Sequence, residues 1–252
     1  DAKCMQCHDL CEDENIQNCT SCHMSKSSTT DIMHVSITDH KIGLHYSNES
    51  KRGKFLGLFA INNNNPTALS KAKAYLKRYE SFEANNLYLD SAFFYLERSN
   101  NNFVYYIQYY YLKNDRDGLI NYFMSNQLND SIYTKSDLAL AYSRLGEVFF
   151  KEDLITQAHN YHKRAVDLMP FVIDYKIKYG AFLLNNNKIF DAEIQFTNAL
   201  ELNPTIKEIY LNLGYIAILK ENYQEAERIL KHAIAVDPDY ILAYENLVLL
   251  SQ

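Results

Sequence analysis

Residues 207–240 read KEIYLNLGYIAILKENYQEAERILKHAIAVDPDY. This stretch decides the fold because its glycine, two of its alanines and its proline recur at a fixed interval along the chain. Shifting the sequence by about 34 residues aligns a glycine, two alanines and a proline. The aligned columns are Gly146, Gly180 and Gly214; Ala158, Ala192 and Ala226; Ala165, Ala199 and Ala233; and Pro170, Pro204 and Pro238. Small residues between helices and a proline after them predict consecutive helical hairpins.

An interval of about 34 residues is the period of the tetratricopeptide repeat (TPR), in which one repeat is one helical hairpin. Glycine and alanine let the paired helices approach closely. The large residues between them fill the interface, namely Phe149, Leu183, Phe196 and Leu230. We place repeats at 139–172, 173–206 and 207–240, with a capping helix at 241–252.

Upstream of these repeats, the columns fade but helical spacing of apolar residues continues. The predicted segments are Ser70–Tyr79, Leu89–Arg98, Phe103–Leu112 and Leu119–Ser125. We interpret 62–138 as divergent helical hairpins of the same solenoid and the asparagine run before Pro66 as a linker. The predicted fold class is therefore all-α: residues 62–252 form a TPR-like solenoid, preceded by a short segment, 1–61, with little regular structure.

Two Cys-x-x-Cys-His motifs stand near the N-terminus, Cys4-Met5-Gln6-Cys7-His8 and Cys19-Thr20-Ser21-Cys22-His23. This spacing is typical of covalent c-type haem attachment, in which two thiols bind the porphyrin and the histidine binds the iron. We predict two covalently bound haem c groups, held by Cys4, Cys7, Cys19 and Cys22, with His8 and His23 as proximal ligands. A zinc ribbon of the four cysteines and a pair of disulfides are the alternatives, but zinc leaves both histidines unexplained.

Second axial ligands are sought among the histidines that follow, His34, His40 and His45, and among Met5, Met24 and Met33. Three histidines lie close together in a chain with only 8 in 252 residues, which favours bis-histidine ligation by His34 and His40. His45 is either a further ligand or a surface residue. Cys11 is a free reactive thiol, a cysteine bonded to something outside the chain, or a buried and inert thiol.

The stretch Cys19-Thr20-Ser21-Cys22-His23-Met24, with the later His34-Val35-Ser36-Ile37-Thr38-Asp39-His40, resembles the last haem segment of multihaem cytochromes c that carry a TPR domain after their haems. The resemblance implies that His34 and His40 are distal ligands. It also implies haem attachment outside the cytoplasmic membrane, and so a periplasmic or extracellular protein. Members of this family usually carry more haem motifs upstream, so the chain is either a piece of such a protein or a reduced member.

These observations favour an electron-transfer protein that is not an enzyme, with redox proteins or further haem domains as partners. The alternatives are a fragment of a multihaem oxidoreductase with one open haem site, and a TPR interaction scaffold. A net charge of −6 argues against nucleic acid as a partner, and no apolar run approaches the length of a membrane span.

The first helices of the repeats are expected to line a concave groove. Its predicted lining is Leu140, Ser143, Glu147, Phe150, Asp174, Ile177, Ala181, Leu184, Glu208, Leu211, Tyr215 and Ile218. This apolar and acidic surface does not suit a clamp for peptide carboxylates. It predicts docking of a helix or a neighbouring haem segment, unless a capping helix or a neighbouring molecule covers it. The candidate distal histidines outnumber the haems, so together with the solenoid they predict that one histidine binds a haem of an adjacent copy and that head-to-tail repetition builds a conducting filament. His159, His162 and His232 are interpreted as packing residues.

Overall fold

A computed structural model describes residues 26–28, 36–38, 57–61 and 63–250. The chain divides into two units, residues 1–57 and 58–252. In the first unit, strands β1 (Lys26–Ser28) and β2 (Ser36–Thr38) pair antiparallel, with Lys26 opposite Thr38. The sequence does not predict this short pair.

The second unit is helical and follows a simple order of hairpins. Its helices are α1 (Ala68–Ser81), α2 (Asn86–Leu96), α3 (Phe103–Leu112), α4 (Arg116–Ser125), α5 (Lys135–Lys151), α6 (Ile155–Leu168), α7 (Ile173–Asn185), α8 (Ile189–Leu202), α9 (Lys207–Leu219), α10 (Tyr223–Val236) and α11 (Ile241–Leu250). Each odd-numbered helix up to α9 packs against the next helix along the chain. The odd-numbered helices α1, α3, α5 and α7 also contact one another in sequence, and α9 contacts α11.

The turn inside each C-terminal hairpin is the same. After α5, α7 and α9 the chain passes through Asp153, Asn187 and Glu221, whose φ angles are 59°, 60° and 60°. The next amide then closes the helix end, as Leu154 N–H does by donating to the Phe149 carbonyl oxygen at 2.8 Å. A left-handed residue in this position ends a helix without leaving its last carbonyls unpaired. Identical turns give the hairpins the same geometry, which is why they stack.

Close helix contact inside each hairpin depends on the glycine column. A Cβ atom at Gly180 would lie 2.9 Å from Cζ of Phe196, and one at Gly214 would lie 2.8 Å from Cδ2 of Leu230. Phe196 and Leu230 are fully buried. The prolines follow the second helices by two residues, as Pro204 follows α8 at Leu202. The predicted all-α fold and the roles of these columns are confirmed.

Candidate docking groove

The odd-numbered helices form the inner face of the solenoid, and the residues on that face differ in exposure along its length. Asp174, Glu208 and Tyr215 are exposed, and most of the apolar residues predicted to line the groove are half-buried. Ser143 is buried, so its prediction as a groove-lining residue is wrong: the surrounding helices cover it. The inner face is therefore closed near α5 and open further along.

The closed part is held by a polar ladder, which we define as Glu80, Gln108, Tyr111, Arg144, Glu147 and Lys178. Arg144 is 2% exposed, and its Nη2 donates to Oε1 of Glu80 at 2.5 Å. Gln108 Nε2 donates to the other oxygen of Glu80 at 3.1 Å. The Arg144 guanidinium also lies 5.0 Å from the centre of the Tyr111 ring. One buried cation thus joins α1, α3 and α5.

The ladder continues from α5 to α7. Tyr111 donates its hydroxyl to Oε2 of Glu147 at 2.9 Å, and Lys178 Nζ lies 2.8 Å from Oε1 of the same carboxylate. Lys178 also lies 3.2 Å from Oδ2 of Asp174. Burial lowers the pKa of Lys178, but the hydrogen bond and charge of Glu147 outweigh it, and the net pKa is raised. Lys178 therefore stays charged and engaged.

The open part of the inner face lies on α9 and α11. We call it the C-terminal groove and define it by Glu208, Leu211, Tyr215, Ile218, Leu219, Leu242, Glu245 and Leu249. Tyr215 is 45% exposed, Leu242 48% and Leu249 67%. Apolar side chains this exposed on two helices that contact each other are typical of a surface that binds a partner.

The charges of the C-terminal groove are negative. Glu208 and Glu245 are exposed, and neither forms an ion pair with another described residue. The two lysines at the ends of α9 are engaged on other sides, because Lys207 pairs with Asp237 and Lys220 pairs with Glu193. The groove thus offers apolar contacts flanked by two carboxylates that form no ion pair with the described residues.

His162 and His232 of the repeats lie in packing contacts. His162 is 3% exposed, and its ring lies over Gly146, where a Cβ atom would meet it at 2.8 Å. Burial lowers the pKa of His162 to about 4; the charge of Glu147 opposes this shift, and Lys178 and His159 add to it. His232 stacks on Tyr210. Among the residues that the structure describes, no three His, Cys, Asp or Glu side chains are placed to hold a metal ion.

The residues predicted to bind haem lie outside the described residues. They are Cys4, Cys7, Cys19 and Cys22, with His8, His23, His34, His40 and His45. Their assignment stays a prediction, as does that of Cys11.

Two parts of the inner face escape the sequence analysis. The polar ladder escapes because Glu80 and Arg144 are 64 residues apart and belong to hairpins with different column spacing. Leu242 and Leu249 could have been found, since they stand 34 residues after Glu208 and Tyr215 and so occupy the same columns.

Comparison with known proteins supports the fold. The crystal structure of YrrB, described as a TPR protein with an unusual peptide-binding site, is 22% identical, with a TM-score of 0.53 over 71% of this chain and 89% of YrrB. The fold is a TPR-like solenoid. The second TPR domain of human RPAP3, solved with an HSP70 peptide, is 18% identical, with a TM-score of 0.44 over 47% of this chain and 98% of that domain.

Among curated proteins, human cilia- and flagella-associated protein 70 is 30% identical over 117 residues, which are 46% of this chain. The match covers only 10% of that protein. No protein-family model matches the chain. In the part of the chain that the structure describes, no helix of the solenoid has the length and apolar character needed to cross a bilayer.

Proposed function

We propose that the solenoid is a protein-interaction scaffold whose docking surface is the C-terminal groove. The observation that carries the proposal is the contrast between the two parts of the inner face. Near α5 the charged side chains of the polar ladder form ion pairs with one another, whereas on α9 and α11 the apolar side chains and Glu208 and Glu245 face solvent. A TPR-like groove with an open stretch of this kind suits a short segment of another protein.

The charges define the chemistry of that segment. The inner-face cations Arg144 and Lys178 are engaged by Glu80 and Glu147, so they are not free to bind a peptide carboxylate. The open carboxylates instead favour lysine or arginine beside apolar residues. The expected partner is therefore a segment that combines basic and apolar side chains.

Two matched peptides test this docking role on the full chain. One alternates lysine with leucine and phenylalanine, and the other has glutamate in place of each lysine. We expect the basic peptide to bind and the acidic peptide to bind at least about tenfold more weakly, a difference of about 1.4 kcal/mol. Fluorescence anisotropy of the labelled peptides gives both affinities.

Variants of the protein locate the site. Tyr215→Ser and Glu208→Lys should each weaken binding of the basic peptide by about tenfold. The first change removes an apolar contact of the groove, and the second reverses one of its negative charges. Glu201→Lys changes an exposed carboxylate on α8, away from the inner face, and should leave binding unchanged. The proposal is contradicted if the unchanged protein binds both peptides equally well. It is also contradicted if the groove variants bind the basic peptide as tightly as the unchanged protein does.

We propose as a second function that the N-terminal segment carries two haem c groups and passes single electrons. The two Cys-x-x-Cys-His motifs support it, since Cys4, Cys7, Cys19 and Cys22 are spaced to tether porphyrin and His8 and His23 to bind iron. His34 and His40 would fill the remaining axial positions, and His45 is a further candidate ligand. Bound haem supplies reversible one-electron chemistry, and the resemblance to multihaem cytochromes c supports an exported protein that is not an enzyme.

The haem proposal predicts two added haems in the purified chain, seen as a mass increase by intact mass spectrometry and as a pyridine-haemochrome spectrum. Cys4→Ala with Cys7→Ala should remove one haem, and Cys19→Ala with Cys22→Ala the other. Low-spin ferric spectra that cyanide does not change support bis-histidine ligation, whereas a high-spin signal supports the oxidoreductase alternative. A colourless protein that binds zinc contradicts the proposal.

A further inference from the structure

The chain itself contains a segment with the chemistry that the C-terminal groove favours. Residues 51–61 read Lys51-Arg52-Gly53-Lys54-Phe55-Leu56-Gly57-Leu58-Phe59-Ala60-Ile61 and contain no acidic residue. At the described end of this segment, Phe59 is 82% exposed and Ile61 95% exposed. Exposing such large apolar side chains to water is unfavourable in free energy. An apolar surface that covers them is therefore stabilising.

The segment and the groove match in charge as well as in polarity. Lys51, Arg52 and Lys54 supply three positive charges, and the groove offers the exposed carboxylates Glu208 and Glu245. The rest of the groove is apolar, with Tyr215, Leu242 and Leu249 exposed, and it matches the apolar half of the segment.

The groove of the same chain does not cover the apolar end of the segment, because Phe59 is 82% exposed and Ile61 95% exposed in the single chain. The surface that buries these two side chains is therefore supplied by another molecule.

We propose that residues 51–61 of one molecule dock into the C-terminal groove of a second copy, so that the chain associates head to tail. This proposal rests on the docking role proposed above and names the partner. The interface is heterologous, because the segment and the groove are different surfaces. After one docking event the first copy keeps a free groove and the second keeps a free segment, so association continues beyond a dimer unless the rotation closes a ring.

Sedimentation velocity of the full chain at rising protein concentration tests the proposal. We expect the average mass to rise with concentration and to fall again when salt is added, because part of the attraction is between exposed charges. Phe59→Ser with Ile61→Ser removes the apolar anchors of the segment. Glu208→Lys with Glu245→Lys reverses the charge of the groove. Each double variant should sediment as a monomer, and Glu201→Lys should associate like the unchanged protein.

Mixing the two double variants separates head-to-tail docking from any symmetric contact. The segment variant keeps its groove and the groove variant keeps its segment, so the mixture should form dimers and nothing larger. A full chain that stays monomeric, double variants that still associate, or a mixture that stays monomeric overturns the proposal. If the basic peptide binds the groove while the full chain stays monomeric, self-docking fails and the docking role stands.

Discussion

Replacing Gly180 by valine is expected to lower the free energy of unfolding by about 3 kcal/mol, at the upper end of overpacking costs. The Cβ atom would stand 2.9–3.1 Å from three carbons of the Phe196 ring, and this ring is fully buried in the α7/α8 hairpin. A planar ring with no free space cannot turn aside, so the helices must separate. Urea unfolding followed by far-ultraviolet circular dichroism measures the loss.

A second change separates overpacking from a general intolerance of valine. Phe196→Leu in the Gly180→Val chain should recover about 1 kcal/mol, because leucine is smaller than phenylalanine and its methyl groups can rotate away from the valine. Ala235→Val, at an exposed position of α10, should cost less than about 0.5 kcal/mol. Equal stability of Gly180→Val and the unchanged protein contradicts the role given to the glycine column.

Acidification is expected to destabilise the solenoid through His162. Its pKa is lowered to about 4 in the folded chain, chiefly by burial, from an ordinary value of 6.5. The unfolded chain therefore takes up a proton between pH 6.5 and 4 that the folded chain refuses. The stability due to neutral His162 is complete above pH 6.5 and falls as the pH drops, by about 3 kcal/mol at pH 4.

The variant His162→Phe isolates this contribution. Phenylalanine fills the same column in the next repeat as Phe196, so it suits the space over Gly146. The stability of the variant relative to the unchanged protein should rise by about 3 kcal/mol from pH 7 to pH 4, since carboxylates common to both cancel. Urea unfolding at several pH values gives the two curves, and parallel curves contradict the prediction.

The sequence determines the hairpins because local rules act within one repeat. Two of these features lie within a single repeat and can be recognised from its sequence alone. They are the proline after each second helix and the glycine that faces His162, Phe196 or Leu230. The start of α5 at Lys135 is less obvious, because it depends on Thr134, whose hydroxyl accepts from the Asp137 amide at 3.1 Å.

The inner face is harder to predict because it depends on how the repeats stack. Burial of Ser143 and the pairing of Arg144 with Glu80 arise from contacts between hairpins that share no columns. The left-handed residue after α9 is Glu221, where glycine or asparagine is the usual signal, so its turn also escapes a sequence pattern. The open end of the groove follows from the columns only when α11 is aligned with α9.

Docking is proposed to take place on α9 and α11 and not on the polar ladder. Hydrogen–deuterium exchange of the full chain, with and without the basic peptide, tests it directly. We predict that the peptide slows exchange in residues 207–219 and 241–250 and leaves α1, α3 and α5 unchanged. Protection confined to α1, α3 and α5, or protection of the even-numbered helices in place of α9 and α11, would show that the peptide docks elsewhere.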